Sequence, residues 1–546
     1  MTTAEPIVDV TEQTPSPGLG SRLLSSYLRL ANKPLLACAF IFFLTLALRA
    51  ELLPWIHVPR PAVHDEFSYL LAADTFASGR LTNPPHKYWE HFETFHVLQQ
   101  PTYASKYQPM QGLVLAFGQK LFGLPWAGVL LSSALMCAIV CWTLQGWLSP
   151  GLALLGGLLV MLKVGVLSYW VNTYWGGCVA AIAIALTIGS IPRIARHRQY
   201  LHSVTFAVGL AILANSRPYE AAVLGLTATA ALGWWLWKTK AELRVVLQRV
   251  VAPAAAVLVI TSAGMAYYNY RVTGNPLTLP YQAHDRQYDM VSMFAWSKTR
   301  AQPVYHHEVM RKFWAEWHVD QVKAAHSAMT EISLMKVGAV YDFFLGLWPL
   351  LIPPLIWPYA LKTTEERLTV FFLIAFIVAL LPLTGFAPHY AAAFACLAYM
   401  RFLQTLGRLQ GWRPWGKPLG FAVSVFFVVL IPYQFVAEMG LVLKFGAFAP
   451  QLALLREPVL QTLEKQPGRQ LVLVRYSPTH NVHDEWVYNR ADIDASQIVW
   501  AREMTPEQDR LFIQYFHDRK AWLVEADQNP PKLIPYDLAS PPGIAR

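Results

Sequence analysis

Apolar runs of about 20 residues recur along the chain, at 34–53, 125–147, 151–170, 177–195, 202–216, 219–237, 250–270, 342–361, 368–386, 389–407 and 418–437. A helix of that length crosses a hydrocarbon core of about 30 Å. A chain so patterned buries its runs against one another or in lipid, and it cannot fold as an ordinary soluble enzyme. Composition agrees, with 55% hydrophobic and 14% charged residues against roughly 25% charged in soluble domains. The pattern predicts a mainly α-helical, polytopic transmembrane bundle of about eleven spans.

The net charge of +10, from 44 Lys and Arg against 34 Asp and Glu, would suit nucleic acid if the cations were clustered. They instead flank the apolar runs, as topology requires. Arg22, Arg29 and Lys33 precede the first run; Arg193, Arg196 and Arg198 follow the fourth; Lys238, Lys240, Arg244 and Arg249 follow the sixth; Arg401, Arg408, Arg413 and Lys417 follow the tenth. Counting alternate crossings puts all four groups on one side. The expectation is a multi-pass protein of the inner (plasma) membrane, N-terminus cytoplasmic and C-terminus extracytoplasmic, with no nucleic-acid partner. Residues 1–33 are polar and read as a disordered cytoplasmic tail rather than a cleavable leader. Cys38, Cys137, Cys141, Cys178 and Cys396 all lie in or beside apolar runs, without CxxC spacing, so neither disulfides nor zinc are indicated.

Residues 34–437 then form the membrane module, with long outer loops at 54–124 and 271–341, and residues 438–546 form a small extracytoplasmic α/β domain. Within the latter, 471–476, 497–501 and 521–525 read as strands. Thr505, Pro506 and Gln508 have the cap, first-turn and capping-box pattern of a helix running to about Phe516.

The first outer loop carries the most chemistry. It opens on Val63-His64-Asp65-Glu66-Phe67-Ser68-Tyr69-Leu70, two adjacent carboxylates at the start of a helix suited to lie along the membrane surface. Asp65 can cap helix amides or serve as a base toward a sugar or lipid hydroxyl. Lys106, Arg217 and His389 fall at the outer ends of segments. Each has two readings: anion binding, or a local role as interfacial anchor (Lys106), partner of Glu220 (Arg217) and helix cap (His389). An ionised residue between spans reads by default as functional. The turn Tyr169-Trp170-Val171-Asn172-Thr173-Tyr174-Trp175 can wall a substrate or form an aromatic belt, and Arg271 is a further phosphate candidate. His284-Asp285-Arg286 and His306-His307-Glu308 fit no specific metal spacing, so no metal and no cofactor are assigned. Val482-His483-Asp484-Glu485-Trp486 echoes 63–67 and reads as a loop able to dock on the site.

One span, an acidic pair on a juxtamembrane helix (HDEFSYLLAADTFASGR), then ASKYQPMQGLVLAFGQKLFGLPWAGVLLSSAL resembles the GT-C glycosyltransferases, particularly the protein O-mannosyltransferase and lipid A aminoarabinose transferase branch, best over residues 35–240. Members typically carry a Lys followed by an aromatic and paired prolines; Lys106-Tyr107-Gln108-Pro109 keeps the Lys and one Pro. The resemblance implies an inverting membrane transferase that takes a sugar from a polyprenyl-phosphate-linked donor to a glycan, lipid or protein acceptor. Asp65 matches the essential acidic residue, with Glu66 its catalytic neighbour. Lys106, Arg217, His389 and Arg271 become candidates for the donor phosphate, and Tyr69, Tyr107, Tyr174 and Trp175 for substrate contacts. The rival class is a transporter or flippase for a lipid-linked or hydrophobic substrate, which expects ionisable groups near the bilayer midplane; Lys163 is the one such residue. An envelope scaffold would leave the acidic pair without a role.

Overall fold

A computed structural model describes residues 18–355, 361–445 and 451–536. The tail expected to be disordered lies outside the described residues over 1–17. The chain is mainly helical, and helices occupy the apolar runs other than 342–361. Among the described residues five are long and apolar enough to cross a membrane: Pro34–Glu51, Pro125–Trp147, Gly177–His197, Leu243–Thr273 and Leu419–Lys444. Pro150–Gly165 and Tyr200–Ala214 are shorter apolar helices.

Burial sorts these helices into a centre and a rim. The most apolar window of Gly177–His197 is 89% buried, whereas that of Leu243–Thr273 is only 6% buried. Alanine, glycine and β-branched residues let the central helix approach its neighbours closely. The rim helix is apolar on every side, as a lipid-facing helix must be. The expected span 342–361 takes a different form. Met329–Phe344 is helical, the chain breaks at Gly346 with φ +82°, and Trp348–Leu351 is a 3₁₀ turn followed by Ile352–Leu355. Pro349, Pro353 and Pro354 remove the amide donors a continuous helix needs.

Two shorter helices, His64–Ala77 and Pro109–Phe122, pack against each other and against the start of Pro125–Trp147. Their closeness depends on small residues: a side chain at Gly128 would put its Cβ 2.1 Å from the Val114 carbonyl oxygen. A two-residue hairpin, Val97–Leu98 with Ala104–Ser105, joins the pair.

The C-terminal segment forms a four-stranded sheet in the order Ile498–Arg502, Arg469–Arg475, Arg519–Glu525, Lys532–Pro535. The first three strands are parallel and the last antiparallel. Three strands fall where they are expected, and Lys532–Pro535 is an addition. Helix Pro506–Tyr515 starts with Thr505 accepting from the Gln508 amide. Phe67, Leu71, Phe92 and Tyr103 share one apolar core with Leu471, Leu473, Trp486 and Trp500. The helix bearing Asp65 is therefore clamped between bundle and sheet.

Candidate active site

Adjacent carboxylates on a helix point in different directions, and here they meet different fates. Glu66 is 2% exposed. Its carboxylate accepts the Ala62 and Val63 amides at 2.8 and 3.1 Å and the Tyr174 amide at 3.0 Å. Burial pushes it up to about 7 against the pull of those amides. Glu66 thus closes the helix N-terminus and ties it to the 166–176 turn, a structural placement away from the cleft lining. Glu66→Ala leaves three buried amides without an acceptor and is expected to cost about 3 kcal/mol or more, read as a lower unfolding temperature in detergent; Glu66→Gln retains an acceptor oxygen and loses less.

Because Glu66 caps the helix, Asp65 is free of that duty. Its Oδ1 accepts the Tyr107 hydroxyl, its Oδ2 lies 3.9 Å from His96 Nε2, and its side chain is 35% exposed. His96 has φ +61°, a strained setting for a residue with a Cβ. Its carbonyl is held by the Ser68 hydroxyl at 2.7 Å and the Lys106 amide at 3.1 Å.

Asp65 opens into a cleft of about 270 Å³. Its lining also carries Tyr69, Tyr107 and Tyr281, together with Arg217, His389, Tyr390 and Trp175. Tyr69 and Tyr107 stack at 4.5 Å. Arg217 donates to Glu220 at 3.2 Å and lies over the Tyr390 ring at 5.0 Å. His389 Nδ1 is 2.9 Å from the Tyr169 hydroxyl, and its ring meets Trp175 edge-on at 4.7 Å.

Lys106 sits behind that lining. It is 3% exposed, with its ammonium 4.7 Å from the Tyr281 ring centre and 5.4–5.5 Å from those of Trp314 and Tyr107. Among the described residues no carboxylate comes within ion-pair distance of it, but Asp285 and Asp289 lie near enough to feel its charge. A desolvated ammonium held by rings gains about 2 kcal/mol, well short of its lost hydration, so the box favours anionic charge nearby.

Asp65, Tyr69, Tyr107, Trp175, Arg217 and His389 therefore converge, with Lys106 adjoining. Glu66, Tyr174 and Arg271 do not line the cleft. The Tyr174 hydroxyl donates to the Pro59 carbonyl at 3.1 Å, and Arg271 bonds Tyr267 on an exposed helix end. The sequence reading gave no cleft role to Tyr281 and Tyr390; it named Asp285 only in a metal reading and Glu220 only as the partner of Arg217, which the structure shows. Tyr281 and Asp285 are four apart in Pro280–Tyr288, a same-face spacing that was available as a signal.

The 480–486 stretch reaches the head of the Asp65 helix. His64 is buried, stacked on Phe95 at 4.5 Å, with Nε2 3.2 Å from the His483 carbonyl; Glu485 pairs with Arg502 at 2.6 Å. Burial pushes both His64 and His307 down to about 3. Their neutral form belongs to the fold, so stability is full above the unfolded value near 6.5 and falls as pH drops from there toward 3. Each contributes about 1.4 kcal/mol per pH unit in that window. Unfolding temperature should fall steeply from pH 7 to 5, and His64→Phe should flatten the slope by keeping the Phe95 stack; an unchanged slope removes His64 as a source.

No family model and no curated protein sequence matches the chain. Its structure is similar to that of ArnT from Cupriavidus metallidurans bound to undecaprenyl phosphate, at TM-score 0.50 and 14% identity, over 92% of this chain and 93% of that one. The chain has the GT-C fold. The likeness extends well past residues 35–240. The Archaeoglobus fulgidus oligosaccharyltransferase with a tethered acceptor peptide aligns at TM-score 0.45 and 12% identity, over 89% of this chain and 69% of that one. The cleft lies where helix His64–Ala77, the 104–109 strand-to-helix turn and the 388–391 turn meet.

Proposed function

We propose that this chain is an integral-membrane glycosyltransferase that moves a sugar from a polyprenyl-phosphate donor to a glycan, lipid or protein acceptor on the extracytoplasmic face. In this reading about eleven helices span the bilayer, the N-terminus is cytoplasmic, residues 34–437 form the catalytic module, and residues 438–546 form an extracytoplasmic domain. The observation that carries it is one cleft lined by Asp65, Arg217 and His389 together, with the ring-boxed ammonium of Lys106 beside it.

The chemistry follows from that convergence. Asp65 removes the proton from the acceptor hydroxyl, whose oxygen attacks the anomeric carbon from the side opposite the phosphate, inverting it. The carbon–oxygen bond to phosphate breaks and its electron pair leaves with the lipid phosphate. Fixed cations already facing that anion lower the barrier without reorganising. Tyr69, Tyr107 and Trp175 offer ring faces to the sugar.

The transporter reading rested on Lys163. Its ammonium is paired with Glu438 at 3.0 Å, a local neutralisation that supplies no pathway. The test uses proteoliposomes holding the purified protein and a polyprenyl-phosphate sugar fraction from bacterial membranes. Acceptor-dependent release of free polyprenyl phosphate is expected; movement of intact donor across the bilayer without release would overturn the proposal.

A further inference from the structure

Helix Pro280–Tyr288 and the residue that ends it bring together three side chains that the transfer chemistry does not use. His284, Asp285 and Asp289 each offer a ligand atom, all within 4.8 Å of one another. Asp285 and Asp289 are four apart, the spacing that shares a helix face, and His284 precedes Asp285 directly. His284 is completely buried, its Nδ1 lies 3.9 Å from Asp285 Oδ1, too far for a hydrogen bond, and neither its ring nitrogens nor that oxygen has a hydrogen-bond partner. Leaving such groups unsatisfied costs about 1–3 kcal/mol each, which points to a missing partner. Asp289 is held from outside the cluster, its Oδ1 2.7 Å from His318 Nδ1. That is the kind of support that orients metal-binding carboxylates.

We propose that His284, Asp285 and Asp289 bind a divalent cation of the zinc class, with His318 as the residue that orients Asp289. An imidazole with two carboxylates suits zinc-type ions, whereas magnesium and calcium favour all-oxygen shells. Tetrahedral bonds of about 2.1 Å bring ligand atoms to about 3.5 Å apart, so the cluster closes by roughly 1 Å on binding. Asp285 lines the cleft, so the position left open by three protein ligands faces it. The site rests on its own donor set and not on the transfer reading. If that reading holds, the cation adds positive charge near Lys106.

The test takes the full-length protein in detergent, stripped with chelator, reloaded with Zn²⁺ and desalted. Metal per chain is read by mass spectrometry and unfolding temperature with and without Zn²⁺. The wild type is expected to retain one equivalent and to gain unfolding temperature. His284→Phe and Asp289→Asn should each lower affinity at least about tenfold, while Asp65→Asn keeps the metal. Unfolding of each variant without metal reports whether it is folded, and Asp285→Asn is the substitute for one that is not. No retained zinc, retention of Mn²⁺ in preference to Zn²⁺, wild-type affinity in the folded variants, or loss of metal in Asp65→Asn would each overturn the assignment. Zinc retention without any transfer activity would leave the site standing and remove the proposed reaction.

Discussion

Asp65→Asn is expected to lower transfer by about 10²–10⁴-fold, the usual contribution of a positioned base, with the protein folded and inserted as before. The expectation of intact structure comes from its neighbour. Glu66, not Asp65, closes the helix N-terminus and binds the Tyr174 amide, so the substitution removes no cap. Asparagine has the same shape and its carbonyl still accepts the Tyr107 hydroxyl, which isolates proton acceptance as the property lost. Release of polyprenyl phosphate from the donor, normalised to folded protein by unfolding temperature, is the measurement. A rate near wild type would take Asp65 out of the mechanism.

Lys106→Ala should weaken binding of undecaprenyl phosphate about 10–100-fold, equivalent to about 1.4–3 kcal/mol, the range for a hydrogen bond to a charged group. Its ammonium is held by three rings with no carboxylate at hydrogen-bond distance, so an anion at that end of the cleft meets a cation that no direct ion pair neutralises. Arg217 differs because Glu220 shares it at 3.2 Å, and a smaller loss is expected from Arg217→Ala. Arg271→Ala is the control, since that side chain bonds Tyr267 away from the cleft. Lipid retained in nanodiscs, read by native mass spectrometry, gives the comparison; equal affinity of Lys106→Ala and wild type would return Lys106 to an anchoring role.

Much of the architecture was legible because lipid-length apolar runs admit few folds. The apolar run at 471–476 and the Thr505 capping box also act locally, and the strand and the cap both appear in the structure. What escaped depends on contacts between distant segments. Whether Asp65 or Glu66 faced the cleft turned on Tyr174, more than a hundred residues away, whose amide claims Glu66. Tyr174 and Arg271 looked like site residues from their neighbours in sequence, yet one hydroxyl turns to Pro59 and the other side chain to Tyr267. The Pro-rich stretch after 345 broke a helix that hydropathy alone made continuous. Asp289 was invisible beside His284 and Asp285 because only the helical turn brings it back to them.

The central claim is that one cleft holds a lipid phosphate between fixed cations and opposite a carboxylate. Electron cryomicroscopy of the Asp65→Asn protein in nanodiscs with undecaprenyl phosphate tests it most directly. Phosphate density within reach of Arg217, His389 and Lys106, with residue 65 across the cleft and the isoprenoid leaving toward lipid, is the expected result. Phosphate bound elsewhere, or a continuous aqueous path through the bundle past Lys163, would contradict it.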